Sequence, residues 1–195
     1  MINPWFGLRS YPEGARIFGR DKEIVELSQK ILYNTQTVIY GKSGIGKSSI
    51  LNAGVFPILR RENYFPVYIR LVHDGMVSYT TQILTAVLES LKRLRVEDLG
   101  APEDSIYKDV EGYAKVTAER YDTSVEEGLW EFFHRHEFFY RLDEQSEEQS
   151  VAPVLIFDQF EEIFTLQKDI SKTDAFFNEL ASLLNNICPK HLLQD

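Results

Sequence analysis

Apolar residues recur along this chain with two different periods, and the alternation between them predicts a mixed fold. From Asp21 to Tyr33, residues Ile24, Leu27, Ile31 and Leu32 fall on one helical face. Thr37 to Tyr40 is short, β-branched and aromatic and runs directly into Gly41, which predicts a buried strand entering a turn. A helix is expected from about Gly46 through Leu51, with Gly54 and Pro57 interrupting it before Ile58 to Arg61. Val67 to Leu71 is a second strand candidate. Thr80 to Leu94 places Ile83, Leu84, Val87, Leu88, Leu91 and Leu94 at helical spacing, and Val125 to Tyr140 reads as an aromatic-rich helix. Val154 to Phe157 is the clearest strand, an unbroken apolar run ending at Asp158, and a last helix is expected over Thr173 to Ile187, before Pro189. The opening, with Pro4, Gly7, Pro12 and Gly14, reads as an irregular lead-in, and Asp143 to Ser150 as an acidic, mobile linker.

Strands that alternate with helices imply a parallel sheet flanked by helices, hence an α/β domain of three layers. The chain of 195 residues suffices for one compact domain and is short for two, so a single domain over 1–195 is expected. About three strands are visible, and buried parallel sheets usually have more. The core is therefore expected to be incomplete at its carboxyl terminus, part of a longer protein, with 74–150 as a helical, acidic and separable insertion.

Composition narrows the function classes. Hydrophobic residues make up 44% and charged residues 26%, ordinary globular usage that excludes a disordered or fibrous chain. The single cysteine, Cys188, cannot form an internal disulfide, and no CxxC pattern marks a zinc site, so a reducing cytoplasm is the expected location. No apolar run reaches the roughly 20 residues that span a bilayer, and no membrane association is expected. The net charge of -9 is concentrated, because Glu97 to Glu148 carries 16 acidic and 5 basic residues. That segment repels phosphate backbones, and no nucleic-acid partner is expected.

Gly41-Lys42-Ser43-Gly44-Ile45-Gly46-Lys47-Ser48 carries the candidate chemistry, continued by Ser49. It matches the phosphate-loop pattern and sits between a predicted strand and a predicted helix, as that motif requires. Its glycines let the backbone come close to phosphate oxygens, and its N–H groups and the positive end of the next helix can cradle a β-phosphate. Lys47 would reach the β- and γ-oxygens, and the Ser48 hydroxyl would be a Mg²⁺ ligand. The plainer alternative is a glycine-rich turn with an exposed lysine, which the full motif in its proper context outweighs. The expected fold is therefore a P-loop NTPase core.

Asp158 follows four apolar residues at a strand's carboxyl end, where ligands of open α/β sheets gather, and would hold Mg²⁺ through water. Glu161 or Glu162 would polarise an attacking water, while the other serves as a helix-start charge. Arg20, beside Asp21 as a candidate helix cap, reads on its own as a surface arginine.

Four segments together resemble the STAND NTPases, most closely the bacterial branch called novel STAND NTPase 1. They are Asn3-Pro4-Trp5-Phe6-Gly7-Leu8-Arg9, Phe18-Gly19-Arg20-Asp21, the phosphate loop with Asn52-Ala53-Gly54-Val55-Phe56-Pro57, and Asp158-Gln159-Phe160-Glu161-Glu162. The resemblance implies a switch that binds ATP or ADP with Mg²⁺, many relatives serving antiviral defence or signalling, with homo-oligomerisation on activation. It implies that Arg20 contacts nucleotide and that Glu161 activates water, with Glu162 next in line. The family's sensor-arginine strand, helical lid, winged-helix domain, sensing repeats and effector are expected as partners in the remainder of a parent chain, and hydrolysis by these residues alone is expected to be slow. Adenine is the expected base. Two rivals are a scaffold that binds nucleotide without turnover and a small-molecule phosphotransferase, the latter disfavoured by the acidity of 97–148.

Overall fold

The computed structural model describes residues 10–13, 15–73, 75–92, 128–135, 139–140, 149–166 and 170–193. Helix α1 (Asp21–Tyr33) has the span its apolar spacing predicts. Arg20 occupies the N-cap without a side-chain bond, so Asp21 is not the cap. It lies with Glu23 in the first turn, where the helix dipole favours negative charge, and Lys30 lies in the last. At the far end Asn34 donates to the Lys30 carbonyl through its backbone N–H, at 3.2 Å, and through its side chain, at 2.7 Å.

The second helical stretch runs without a break. Helix α2 (Lys47–Ile50) passes into a π-helical turn (Leu51–Val55) and then into α3 (Phe56–Arg61). The expected interruption at Gly54 and Pro57 is absent for a reason of register. Pro57 has no N–H to give to an α-helical ladder, and the wider π turn places the Phe56 N–H on the Leu51 carbonyl and leaves Pro57 in the first turn of α3, where proline is tolerated. Gly54 is there for close approach, since a Cβ at that position would lie 2.5 Å from Cδ1 of Ile24 on α1. Gly54→Val should cost about 1–3 kcal/mol by overpacking, and Ile24→Ala in the same chain should recover part of that cost. Urea unfolding checks this, and an unchanged midpoint for Gly54→Val would contradict it.

Strand β1 (Tyr64–Ile69) pairs in parallel with the strand Ala152–Phe157, Tyr64 opposite Ala152 and Ile69 opposite Phe157. Two further short strands, β2 (Phe139–Tyr140) and β3 (Gln149–Ser150), pair antiparallel, and Ala152–Phe157 is accordingly β4. The Asp158 N–H continues the parallel ladder onto the Ile69 carbonyl at 2.9 Å. Ala152 and Asp158 both direct their N–H groups toward the β1 side, so the donor that Pro153 lacks falls on the other edge of β4, where its loss breaks no bond to β1.

The parallel sheet has a core on each face. Phe65, Val67 and Ile69 point into one with Ile83 and Val87 of α4 (Tyr79–Lys92), Leu129 and Phe132 of α5 (Leu129–Arg135), Ile163 of α6 (Glu162–Leu166) and Phe176 of α7 (Ile170–Leu184). Tyr64, Val154 and Ile156 face the other, made by Ile50, Leu51, Val55, Phe56 and Leu59 with Ile24, Leu27, Ile31 and Leu32 of α1. The protein is thus mixed α/β around a small parallel sheet. Helices α4 and α5 both contribute to one core, and much of the expected 74–150 insertion, including residues 93–127 between them, lies outside the described part.

Three expectations are corrected. Thr37 to Tyr40 is not a strand, and Val38 and Tyr40 are 73% and 92% exposed. β-Propensity reflects packing on a pleated surface, and among the described residues no strand pairs with this segment to supply one. The helix expected over Val125 to Tyr140 covers only Leu129–Arg135 among the described residues, and Phe139–Tyr140 pairs instead with Gln149–Ser150, which belongs to the expected linker; 125–127, 136–138 and 141–148 lie outside the described part. The last helix spans Ile170–Leu184, and its end is closed by Asn186 at φ 52 with the Ile187 N–H on the Ser182 carbonyl at 2.9 Å. Among the described residues no helix is long and apolar enough to cross a membrane.

Candidate functional site

The loop from Gly41 to Gly46 connects the extended segment after α1 to α2. Gly44 and Gly46 have φ values of 79° and 92°, a region that side chains with a Cβ resist, and Gly46 forms the left-handed N-cap of α2. Its carbonyl accepts the Ile50 N–H at 2.9 Å. Lys42, Ser43 and Ile45 are exposed on the loop. The Lys47 ammonium folds back over it and donates to the carbonyls of Gly41 and Lys42, at 2.9 and 3.3 Å.

Contacts tie the loop and the helices that follow it to the segment preceding them. Arg20 pairs with Glu23 and donates from Nη1 to the Ile45 carbonyl at 3.2 Å. The Ser49 hydroxyl accepts the Tyr11 N–H at 3.3 Å, and Arg60 of α3 grips Glu13 at 2.6 Å. The expected irregular lead-in is, over residues 10–13, fastened to the helix that follows the loop.

Asp158 stands at the carboxyl end of β4, and Glu161 and Glu162 follow at the start of α6. The structure separates the two glutamates. Glu162 accepts from Arg70 at 3.2 Å and is partly buried, whereas Glu161 is exposed and its carboxylate has no partner among the described residues.

Tyr68 stands near the carboxyl end of β1 with Ser48, Asp158 and Arg70 in its surroundings. Partial burial foremost, then the Asp158 carboxylate, push its phenol above the ordinary value of 10.0; Ser48 and Arg70 act the other way. Motif reasoning passed over Tyr68 and Arg70, which look in the sequence like ordinary members of a strand and its flank. Their one signal is position, at the carboxyl end of a parallel strand.

The donors here are a hydroxyl and a carboxylate. Among the described residues no group of three or more His, Cys, Asp or Glu is placed to hold a metal ion. Such a sparse set of hard oxygens fits Mg²⁺, which keeps several waters and is held by one or two carboxylates with substrate phosphates. A separate cavity of about 340 Å³ lies between α4 and α7, lined in part by Val77, Tyr79, Lys172 and Phe176. Its carboxylate, Glu179, already accepts from the Thr80 hydroxyl and the Leu129 N–H, which marks it as a tie between helices.

The family described as Novel STAND NTPase 1 matches residues 4–192. No curated protein and no solved structure matches the chain.

Proposed function

The chain belongs to the Novel STAND NTPase 1 family, and on that premise we propose that it is an ATP-binding regulatory module whose nucleotide lies across the loop from Gly41 to Ser48. The observation that carries this reading is the left-handed glycine turn at Gly44 and Gly46 opening into α2, with the Lys47 ammonium folded back over it. Within a P-loop NTPase core, loop N–H groups would cradle the β-phosphate, and Lys47, released from the two carbonyls, would follow the β- and γ-oxygens. Ser48 directly and Asp158 through water would hold Mg²⁺, which when bound neutralises phosphate charge. Lys42, Ser43, Gly44 and Ile45 form the rim, with Ser49 behind it, and Arg20 braces the loop through Ile45.

Glu161 is the better candidate for activating water, because Glu162 is engaged by Arg70. Both arginines near the loop have acidic partners, Arg20 with Glu23 and Arg70 with Glu162. An arginine at the γ-phosphate contributes about 10³ to 10⁵ in rate, so turnover without one is slow. Binding and hydrolysis therefore separate, as a nucleotide-gated switch in defence or signalling requires, with the remainder of a parent protein and further copies of it as partners.

Phosphate release at saturating Mg-ATP checks this. The chain should turn over well below about 1 per second, the low end of typical enzymes. Glu161→Gln should lower the residual rate by about 100-fold without altering ATP affinity, while Glu162→Gln should change the rate far less. Equal losses from both substitutions, or fast turnover by the unaltered chain, would overturn the assignment. A chain that binds Mg-ATP with no detectable turnover is instead a nucleotide-dependent scaffold.

A further inference from the structure

We propose that Arg70 is an arginine for the terminal phosphate of a bound triphosphate and that Glu162, by pairing with it, withholds it, so that the ion pair acts as a brake on the γ-phosphate end of the site. This rests on the nucleotide-binding reading and deepens it.

Register places Arg70 at the site. Ile69, the last residue of β1, stands opposite Phe157, and its carbonyl accepts the Asp158 N–H at 2.9 Å. Arg70 and Asp158 therefore leave neighbouring parallel strands side by side, at the carboxyl ends where ligands of such sheets gather. Phe65, Val67, Ile69 and Leu71 all join the core shared with α4, α5 and α7. Alternation puts Arg70, between Ile69 and Leu71, on the other side of the sheet. On that side Ile50 and Leu51, in the helical stretch that the loop opens, share a core with Val154 and Ile156, and Asp158 follows these two at the same even spacing.

The guanidinium is only partly committed. Its Nη2 donates to both carboxylate oxygens of Glu162, at 3.2 and 3.4 Å, while Nε and Nη1 have no partner among the described residues. One nitrogen over a carboxylate falls short of the two-nitrogen fork that makes arginine pairs strong. The arginine side chain is 56% exposed and that of Glu162 27%, and ion pairs with such access to water open readily. A terminal phosphate carries more charge than one carboxylate and offers three oxygens to the fork, so it competes with Glu162 for the same group. Arg20, the other arginine near the loop, is occupied by Glu23 and the Ile45 carbonyl. Glu162 thus lowers the share of nucleotide-bound chain in which Arg70 reaches the phosphate.

Titration calorimetry with Mg-ATP and Mg-ADP tests this, because only ATP carries the terminal phosphate. Arg70→Ala should lower the affinity for Mg-ATP about tenfold, the size expected for a bond between charged groups, and leave that for Mg-ADP within about twofold. Glu162→Gln should raise the affinity for Mg-ATP about threefold relative to Mg-ADP, the size of a partly exposed ion pair. Added to the Arg70→Ala chain, the same substitution should produce no rise, because the glutamate acts through the arginine. Equal losses for ATP and ADP in Arg70→Ala, or no loss for either, overturn the proposal. No rise from Glu162→Gln, or a rise that persists without Arg70 and so marks general repulsion of phosphate, overturns the brake. If the unaltered chain binds neither nucleotide, the nucleotide reading itself has failed and this proposal falls with it.

Discussion

Replacing Lys47 with alanine is expected to lower Mg-ATP affinity by about 100-fold or more. The lysine is the one loop side chain whose ammonium already lies over the glycine-rich turn, within hydrogen-bond distance of two carbonyls, Gly41 and Lys42. Two neutral acceptors leave a full positive charge uncompensated, and phosphate oxygens are the better partners. Charge-assisted bonds contribute about 1.5–3 kcal/mol each, so losing even one or two reaches that size. Because the ammonium is solvent-facing, its removal should leave thermal stability nearly unchanged, which separates a binding effect from unfolding. Calorimetry with Mg-ATP measures it, and an affinity within about threefold of the unaltered chain would remove Lys47 from the site.

Phe132→Ala should be the most damaging core substitution, at about 3–5 kcal/mol. The ring is fully buried on α5 and packs edge-on to Phe133 at 4.9 Å between ring centres, in the core that α5 shares with β1, α4 and α7. With total stabilities of about 5–15 kcal/mol, that loss should lower the melting temperature by on the order of 10 °C. Val38→Ser provides the contrast. Val38 is exposed, and its substitution should cost no more than about 0.5 kcal/mol. A large loss for Val38→Ser and a small one for Phe132→Ala would reverse the assignment of which segments build the core.

How much of this was legible in the sequence depended on how local the determining physics is. Helix α1 was readable to the residue because apolar spacing and end charges act within one element. The loop was readable because its glycines and Lys47 report backbone geometry and chemistry at fixed spacing. Thr37 to Tyr40 misled for the opposite reason, since its composition states a preference that only a neighbouring strand can satisfy. Pro57 misled as a breaker because a π turn, which depends on how α1 packs over Gly54, absorbs the missing donor. In the run from Val125 to Tyr140 the aromatic residues suit helix and strand alike, and the pairing of β2 with β3 decides part of it. Among the site residues, Lys47, Ser48, Asp158, Glu161 and Glu162 could be nominated one by one. The pairing of Arg70 with Glu162 could not, because it joins segments far apart in the chain and is fixed only by the register of β1 on β4.

The most direct measurement of the central claim is amide hydrogen exchange, resolved by residue, with and without saturating Mg-ATP. If the loop from Gly41 to Ser48 holds the triphosphate, its exposed N–H groups become phosphate donors, and their exchange should slow by about tenfold or more. Smaller protection should appear at Asp158 and across the segment from Arg20 that braces the loop through Ile45. Saturation by Mg-ATP with no slowing between Gly41 and Ser48, or with protection confined to residues elsewhere, would contradict the account.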